Sequence, residues 1–391
     1  MNLAGKQTIT VLLILAQFLG TSLWFVGNIS IPQLPIPEAQ DPAAIANALA
    51  AVQLGFIAGT LLYAFLLIAD RFSPSQVFLL SAVLAALCNL GLILPNINFI
   101  SILVFRFFTG FFLAGIYPVG MKIAADYYEK GLGKTLGFLV GALVLGTAFP
   151  HFLNSLGLRF DYYKITWITS FLAISGGILV ILFIPNGPFR KPQKHFKWNA
   201  FSVLFKNENF KKAAWGYFGH MWELYAFWGF VPVFIQFYNY RTAADLSLPL
   251  WSFISIAAGA VACAWGGHLS LKLGSKTIAA TSLKLSGICC LLSPLIFWFP
   301  PVVFVTYLIC WGAAVVADSP QFSRMVAANT TPETRGSALT LVNCIGYAVS
   351  VVSIQFLGYL TDFMSSPAIF LILAIGPAFG LWKMYGSTSK S

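Results

Sequence analysis

His220 and Glu223 stand three residues apart in the otherwise apolar stretch WGYFGHMWELYAFWGFVPVF. That spacing puts both on one helix face. At 1.5 Å per residue, Glu223 falls near the middle of a bilayer. A carboxylate in a low-dielectric site disfavours its charged form, and histidine titrates near neutrality, so the two can take up and release protons. Asp318, in ADSPQFSR, precedes Pro320 by two residues. Proline interrupts regular helix bonding, and an acid beside a kink offers a second proton or substrate site. Arg106 lies about two turns inside an apolar run from about Phe99 to Ile123. A charge there costs about 3 kcal/mol and is expected to face a bundle interior or wet cavity, holding an anionic group of solute or protein. The competing readings are structural: a hydrogen-bonded His220–Glu223 pair and a bundle-fixing salt bridge at Asp318. One such pair supplies too few ligands for a metal, and neither metal nor cofactor is expected.

These residues need membrane helices to hold them. The chain of 391 residues is 58% hydrophobic, 9% charged and 16% aromatic, with a mean hydropathy of +0.81. Soluble domains carry about 25% charged residues, so this composition calls for lipid as solvent. At about 20 residues per span, the length fits roughly twelve helices. Their expected positions are about 8–28, 46–69, 76–95, 99–123, 134–156, 165–184, 213–238, 250–271, 277–296, 301–325, 337–360 and 367–384. The expected fold is an all-α membrane protein in two six-helix halves, 1–184 and 213–391, joined by a cytoplasmic linker, 185–212. In that linker Trp198, Phe201, Leu204 and Phe205 can share one face of a helix lying on anionic lipid; a plain basic tether is the alternative. The first apolar run lacks a small-residue cleavage site and reads as a span rather than a removable signal.

Lys6, Arg71, Lys122, Lys130, Lys134, the linker cluster, Lys272, Lys276, Arg324, Arg335, Lys383 and Lys390 fall on one side, against Arg159, Lys164 and Arg241 on the other. The positive-inside rule then puts both termini and the linker in the cytoplasm, of a bacterial inner membrane for preference. This asymmetry accounts for the net charge of +11, and nucleic acid is not an expected partner. The six cysteines lie in apolar runs without metal-site spacing and read as packing residues. Phosphate-cradling loops ending in Lys-Ser/Thr, His-Glu-x-x-His and G-x-S-x-G are all missing, which argues against a nucleotide-driven pump or an enzyme. Cavity walls are expected from polar and aromatic residues inside the spans: Trp24, Asn28, Tyr117, Tyr225, Trp228, Gln321, Asn343 and Tyr347, besides Arg106. Asp70, Arg71, Lys122, Asp126, Arg324 and Arg335 fall at cytoplasmic helix ends.

Pro118 and Lys122 recur as Pro320 and Arg324 at one common offset of about 200 residues, a weak repeat of the kind two-halved transporters carry. Arg106–Thr109–Gly110 resembles the fourth-helix motif of the major facilitator superfamily. Ala69–Asp70–Arg71–Phe72 resembles its loop motif, with Leu66 at the usual glycine and Ser73–Pro74–Ser75–Gln76 at the basic end. Gly137, Gly141 and Gly146 match the family's antiporter motif in part, because its Gly-Pro core is missing. The resemblance covers nearly the whole chain. It implies a monomeric secondary transporter working by alternating access, with Asp70 and Arg71 in an inner gate. Proton coupling through Glu223, His220 and Asp318 is the expected drive, and a small polar or anionic solute the expected cargo. Drug-like efflux, favoured by the many aromatics, and a non-transporting membrane sensor are the alternatives.

Overall fold

The computed structural model describes residues 3–40, 42–128, 132–157, 160–190, 204–364 and 366–386. Among these residues no strand occurs. Among the described residues, ten helices are long and apolar enough to cross a membrane. Two more long helices, Glu208–Thr242 and Ser275–Leu292, are consistent with twelve crossings. In chain order the others are Leu3–Thr21 with Val26–Ser30, Pro42–Phe65, Pro74–Leu90, Phe99–Leu113 with Tyr117–Tyr127, Leu132–Ser155, Tyr162–Phe183, Leu248–Leu273, Pro301–Ala317 with Ser319–Ala328, Pro332–Phe363, and Pro367–Ala374 with Ile375–Tyr385. Helices suit this solvent because every backbone polar group finds a partner inside its own segment. Their starts are marked by side-chain acceptors. Asn98 accepts from Ser101 N at 2.8 Å and Asp161 from Lys164 N at 2.9 Å. The surface-helix stretch expected within the linker lies largely outside the described residues.

The fourth and tenth crossings break at matching places. Gly115 N and Ile116 N turn back to Phe112 O and Leu113 O, and the next helix starts at Tyr117 with Pro118 in its first turn. In the tenth, Asp318 separates two segments, and Pro320 again sits in the first turn of the second. Proline is tolerated there because its missing N–H would be unpaired at a helix start anyway. The repeat seen in the sequence is therefore a repeat of backbone form. A second echo is close packing. A Cβ on Gly110 would strike the Val52 carbonyl, and one on Gly312 would strike the Ser255 carbonyl. Only a hydrogen at those Cα positions lets the helices approach so closely.

The first crossing breaks too, between Thr21 and Val26, where Trp24 N bonds Thr21 O and Asn28 N bonds Phe25 O. Its counterpart in the second half, the seventh crossing, runs unbroken for 35 residues. The two halves meet where the second crossing packs on the eleventh and the fifth on the eighth. Gln355 Nε2 donates to Asn47 Oδ1 at 3.2 Å across one of these seams, and Phe152 meets Phe253 across the other.

Candidate functional site

The break in the first crossing aims Trp24 into the middle of the bundle, where it is fully buried. Its ring lies nearly parallel to those of Tyr225 and Tyr347, with centroids 5.7 and 6.0 Å away and 25° between planes in each case. Phe56 closes a third side, 4.9 Å from Trp24 and 4.6 Å from Tyr347. Tyr225 and Tyr347 share a hydroxyl hydrogen bond of 2.9 Å. Trp228 meets Tyr225 at 5.2 Å and Phe25 at 6.3 Å. Asn28 Nδ2 lies 3.8 Å from where a Cβ on Gly229 would stand. Five of the residues expected from the sequence, Trp24, Asn28, Tyr225, Trp228 and Tyr347, thus come together at the junction of the two halves. Tyr117 is buried at the start of the second segment of the fourth crossing, and Gln321 is buried one turn beyond Asp318. Asn343 is half-buried on the eleventh crossing.

Several buried polar atoms around this junction have no protein partner. At the rings they are Trp24 Nε1, Asn28 Nδ2 and Trp228 Nε1. On neighbouring crossings they are both amide atoms of Gln53, Gln321 Oε1, Arg106 Nε and, by hydrogen-bond geometry, both ring nitrogens of His220 and both carboxylate oxygens of Asp318. Gln17, Thr60, Thr147 and His151 Nε2 lie elsewhere in the first half. Buried polar groups are normally paired, so such a concentration calls for water or a ligand. Gln17, Gln53 and His151 escaped the sequence reading. The available signal was an amide or imidazole inside an apolar run, which marks a residue turned away from lipid without saying toward what.

His220 and Glu223 do not face each other. His220 Nδ1 lies 2.8 Å from Asp318 Oδ1, both side chains being 1% exposed. The pair sits at the break of the tenth crossing, with the rings of Tyr217 and Phe322 against the imidazole. Glu223 instead accepts three hydrogen bonds: from Trp311 Nε1 at 2.6 Å, Ser286 Oγ at 2.8 Å and Cys290 Sγ at 3.2 Å. These donors belong to the ninth and tenth crossings, so the carboxylate ties three helices of the second half together. Residues three apart differ by about 60° around a helix, enough for each to meet a different neighbour.

Arg106 is engaged through both terminal nitrogens, while its Nε has no hydrogen-bond partner. Its Nη1 donates to Leu23 O at 3.2 Å and Asn89 Oδ1 at 3.3 Å. Nη2 donates to Leu23 O at 3.2 Å and to Trp24 O. The sequence pointed to an anionic partner; the structure gives the guanidinium the carbonyls of the broken first crossing. Desolvating that charge is offset by these bonds, and the same bonds hold Trp24 in place.

At the end expected to be cytoplasmic, Lys122 Nζ lies 3.0 Å from Asp70 Oδ1 and 3.6 Å from Asp126 Oδ1. Arg190 Nη2 donates to Asp70 O at 2.9 Å and Phe72 O at 2.8 Å. Arg71 is exposed, so the charge partner of Asp70 is Lys122. Arg324 donates to Ser270 Oγ at 3.2 Å and reaches beside Gly133 of the other half. Arg335 is exposed.

A family model described as Major Facilitator Superfamily matches residues 13–354 of this chain. Among solved structures, the crystal structure of a mutant of the nucleoside transporter NupG superposes with a TM-score of 0.71 at 15% sequence identity, over 96% of this chain and 99% of that one. None of the curated protein sequences matches it.

Proposed function

Because the chain belongs to the major facilitator superfamily, a family of membrane transporters, we propose that it moves a small polar solute by alternating access, driven by the proton gradient. The halves rock about the junction of Trp24, Tyr225 and Tyr347, and the solute binds between them. The observation that carries the coupling is the buried His220–Asp318 pair, 2.8 Å apart, at the break of the tenth crossing. A proton on one member changes the net charge of a dry site, so the pair favours different packings of the tenth crossing when protonated and when not. Glu223 is the second candidate. Its three donors hold the ninth and tenth crossings, and a change in its protonation would loosen that grip.

The test is solute accumulation in proteoliposomes with and without an inward proton gradient. Asp318→Asn is expected to lose gradient-driven accumulation while keeping exchange of labelled for unlabelled solute. Accumulation that survives in Asp318→Asn but fails in Glu223→Gln moves the coupling to Glu223. Flux that ignores the gradient in the unmodified protein overturns proton coupling altogether.

The inner-end cluster of Asp70, Lys122 and Asp126 is proposed to stabilise one of the two packings, with Arg324 reaching across to the other half. Both termini are proposed to be cytoplasmic, in a bacterial inner membrane, on the distribution of basic residues. With the native cysteines removed, a cysteine at Gln40 should react with an impermeant reagent in whole cells and one at Gln193 should not. The reverse pattern refutes this orientation.

A further inference from the structure

We propose that the junction between the halves takes an uncharged, flat ring with an amide-like edge, inserted between Trp24 and the Tyr225–Tyr347 pair; this rests on the reading of that junction as the transport site. Shape is the first argument. Trp24 comes from the first half and the two tyrosines from the second; each tyrosine plane lies 25° from that of Trp24, and the tyrosines are tilted 44° to each other. Stacked surfaces touch at about 3.5 Å. Rocking that parts the rings by about that distance opens a slot one ring thick, with an aromatic face on either side. A flat solute fills the slot on both faces, whereas a puckered one leaves gaps.

Hydrogen-bonding capacity is the second argument. Trp24 Nε1, Asn28 Nδ2, Trp228 Nε1 and both amide atoms of Gln53 have no partner in the protein. Their side chains are at most 8% exposed. Gln53 is placed at the slot because it lies one turn from Phe56, whose ring touches both Trp24 and Tyr347. The set offers several donors and one acceptor. An edge carrying carbonyl oxygens beside an N–H answers it, and an aromatic hydrocarbon does not.

Charge is the third. Arg106 bonds carbonyls and Asn89, Asp318 faces His220, and Glu223 accepts from three neutral donors. Most of this charge is answered within the protein, but Arg106 Nε, His220 Nε2 and Asp318 Oδ2 have no hydrogen-bond partner, so charge weighs less than shape and hydrogen-bonding capacity in favouring an uncharged solute. His151, whose ring lies 6.4 Å from Phe25, would attract an anion only in its imidazolium form, so an anion belongs in the test.

The purified full chain in detergent is titrated calorimetrically with uracil and nicotinamide as flat amide-edged probes, with galactose as a puckered neutral compound and succinate as an anion. At least one flat probe is expected to bind roughly tenfold or more tighter than galactose and succinate. Trp24→Ala should weaken that binding by roughly tenfold or more, and Trp24→Phe, which keeps a ring, by about threefold or less. Gln53→Leu should cost roughly tenfold, because it removes the amide at similar volume. Equal or tighter binding of galactose or succinate, no binding of either flat probe, or unchanged binding in Trp24→Ala overturns the proposal. Proteoliposome flux separates the two readings. Galactose or succinate flux without ring binding sinks the flat-ring proposal and leaves transport standing. Ring binding without flux of any probe supports the ring site and counts against transport.

Discussion

Arg106 shows how a buried charge can be held by backbone carbonyls instead of by an anion. Its guanidinium answers two carbonyls at the break of the first crossing, and Trp24, the ring those bonds steady, faces the other half. In Arg106→Ala each carbonyl left without a donor costs about 1–3 kcal/mol. We expect a protein that inserts, melts at a clearly lower temperature in detergent and transports at a small fraction of the normal rate. Arg106→Lys should recover only part of the melting temperature, because one ammonium cannot reproduce the planar fork. Normal melting and normal flux in Arg106→Ala would show that the break holds without this clamp. His220 and Glu223 make the complementary point. They are neighbours on one helix, yet each is bound to a different neighbour: Asp318 for the first, Trp311, Ser286 and Cys290 for the second.

At the scale of the element, the breaks and the close helix contacts are what repeat between the halves. Pro118 and Pro320 begin equivalent second segments, and Gly110 and Gly312 sit against carbonyls of the second and eighth crossings. Adding a methyl at either glycine forces two backbones apart, at about 1–3 kcal/mol for overpacking. Gly267 is the control, since nothing lies within 4 Å of a Cβ placed there. Alanine in an open helical position gains up to about 1 kcal/mol over glycine. Gly110→Ala and Gly312→Ala should therefore lower the melting temperature, while Gly267→Ala should leave it unchanged or raise it. The first crossing departs from the repeat. It is broken where the seventh is continuous, and its break is the one Arg106 serves.

For the whole molecule, the junction of halves is both the candidate site and the surface that the proposed rocking would part. Ala46 on the second crossing faces Gly358 on the eleventh so closely that a Cβ added at Gly358 would stand 2.6 Å from that of Ala46. Disulfides need about 3.5–4.5 Å between Cβ atoms, a small outward shift from that position. With the native cysteines replaced, Ala46→Cys combined with Gly358→Cys should cross-link on mild oxidation and stop flux, and reductant should restore it. Full flux with the bridge intact would mean that this end of the junction does not open during transport.

The sequence by itself determined the solvent, the approximate number of crossings and the kink at Pro320, whereas the break of the first crossing, which holds no proline, was legible only in the structure. What the sequence determined depends on local properties: apolar runs of about 20 residues, and prolines that cannot continue a helix. It also brought forward Trp24, Asn28, Tyr225, Trp228 and Tyr347, though not Phe56 or Gln53, because a polar group within a span must turn away from lipid. What it could not decide was which groups meet. Asp318 lies nearly a hundred residues from His220, and Leu23 more than eighty from Arg106, so hydropathy and spacing along one helix carry no trace of those contacts. The pairing of Arg106 with carbonyls, of His220 with Asp318, and of Glu223 with neutral donors follows from how the crossings pack. In a low-dielectric bundle a buried charge takes the nearest group that satisfies it, and only the tertiary arrangement sets which group is nearest.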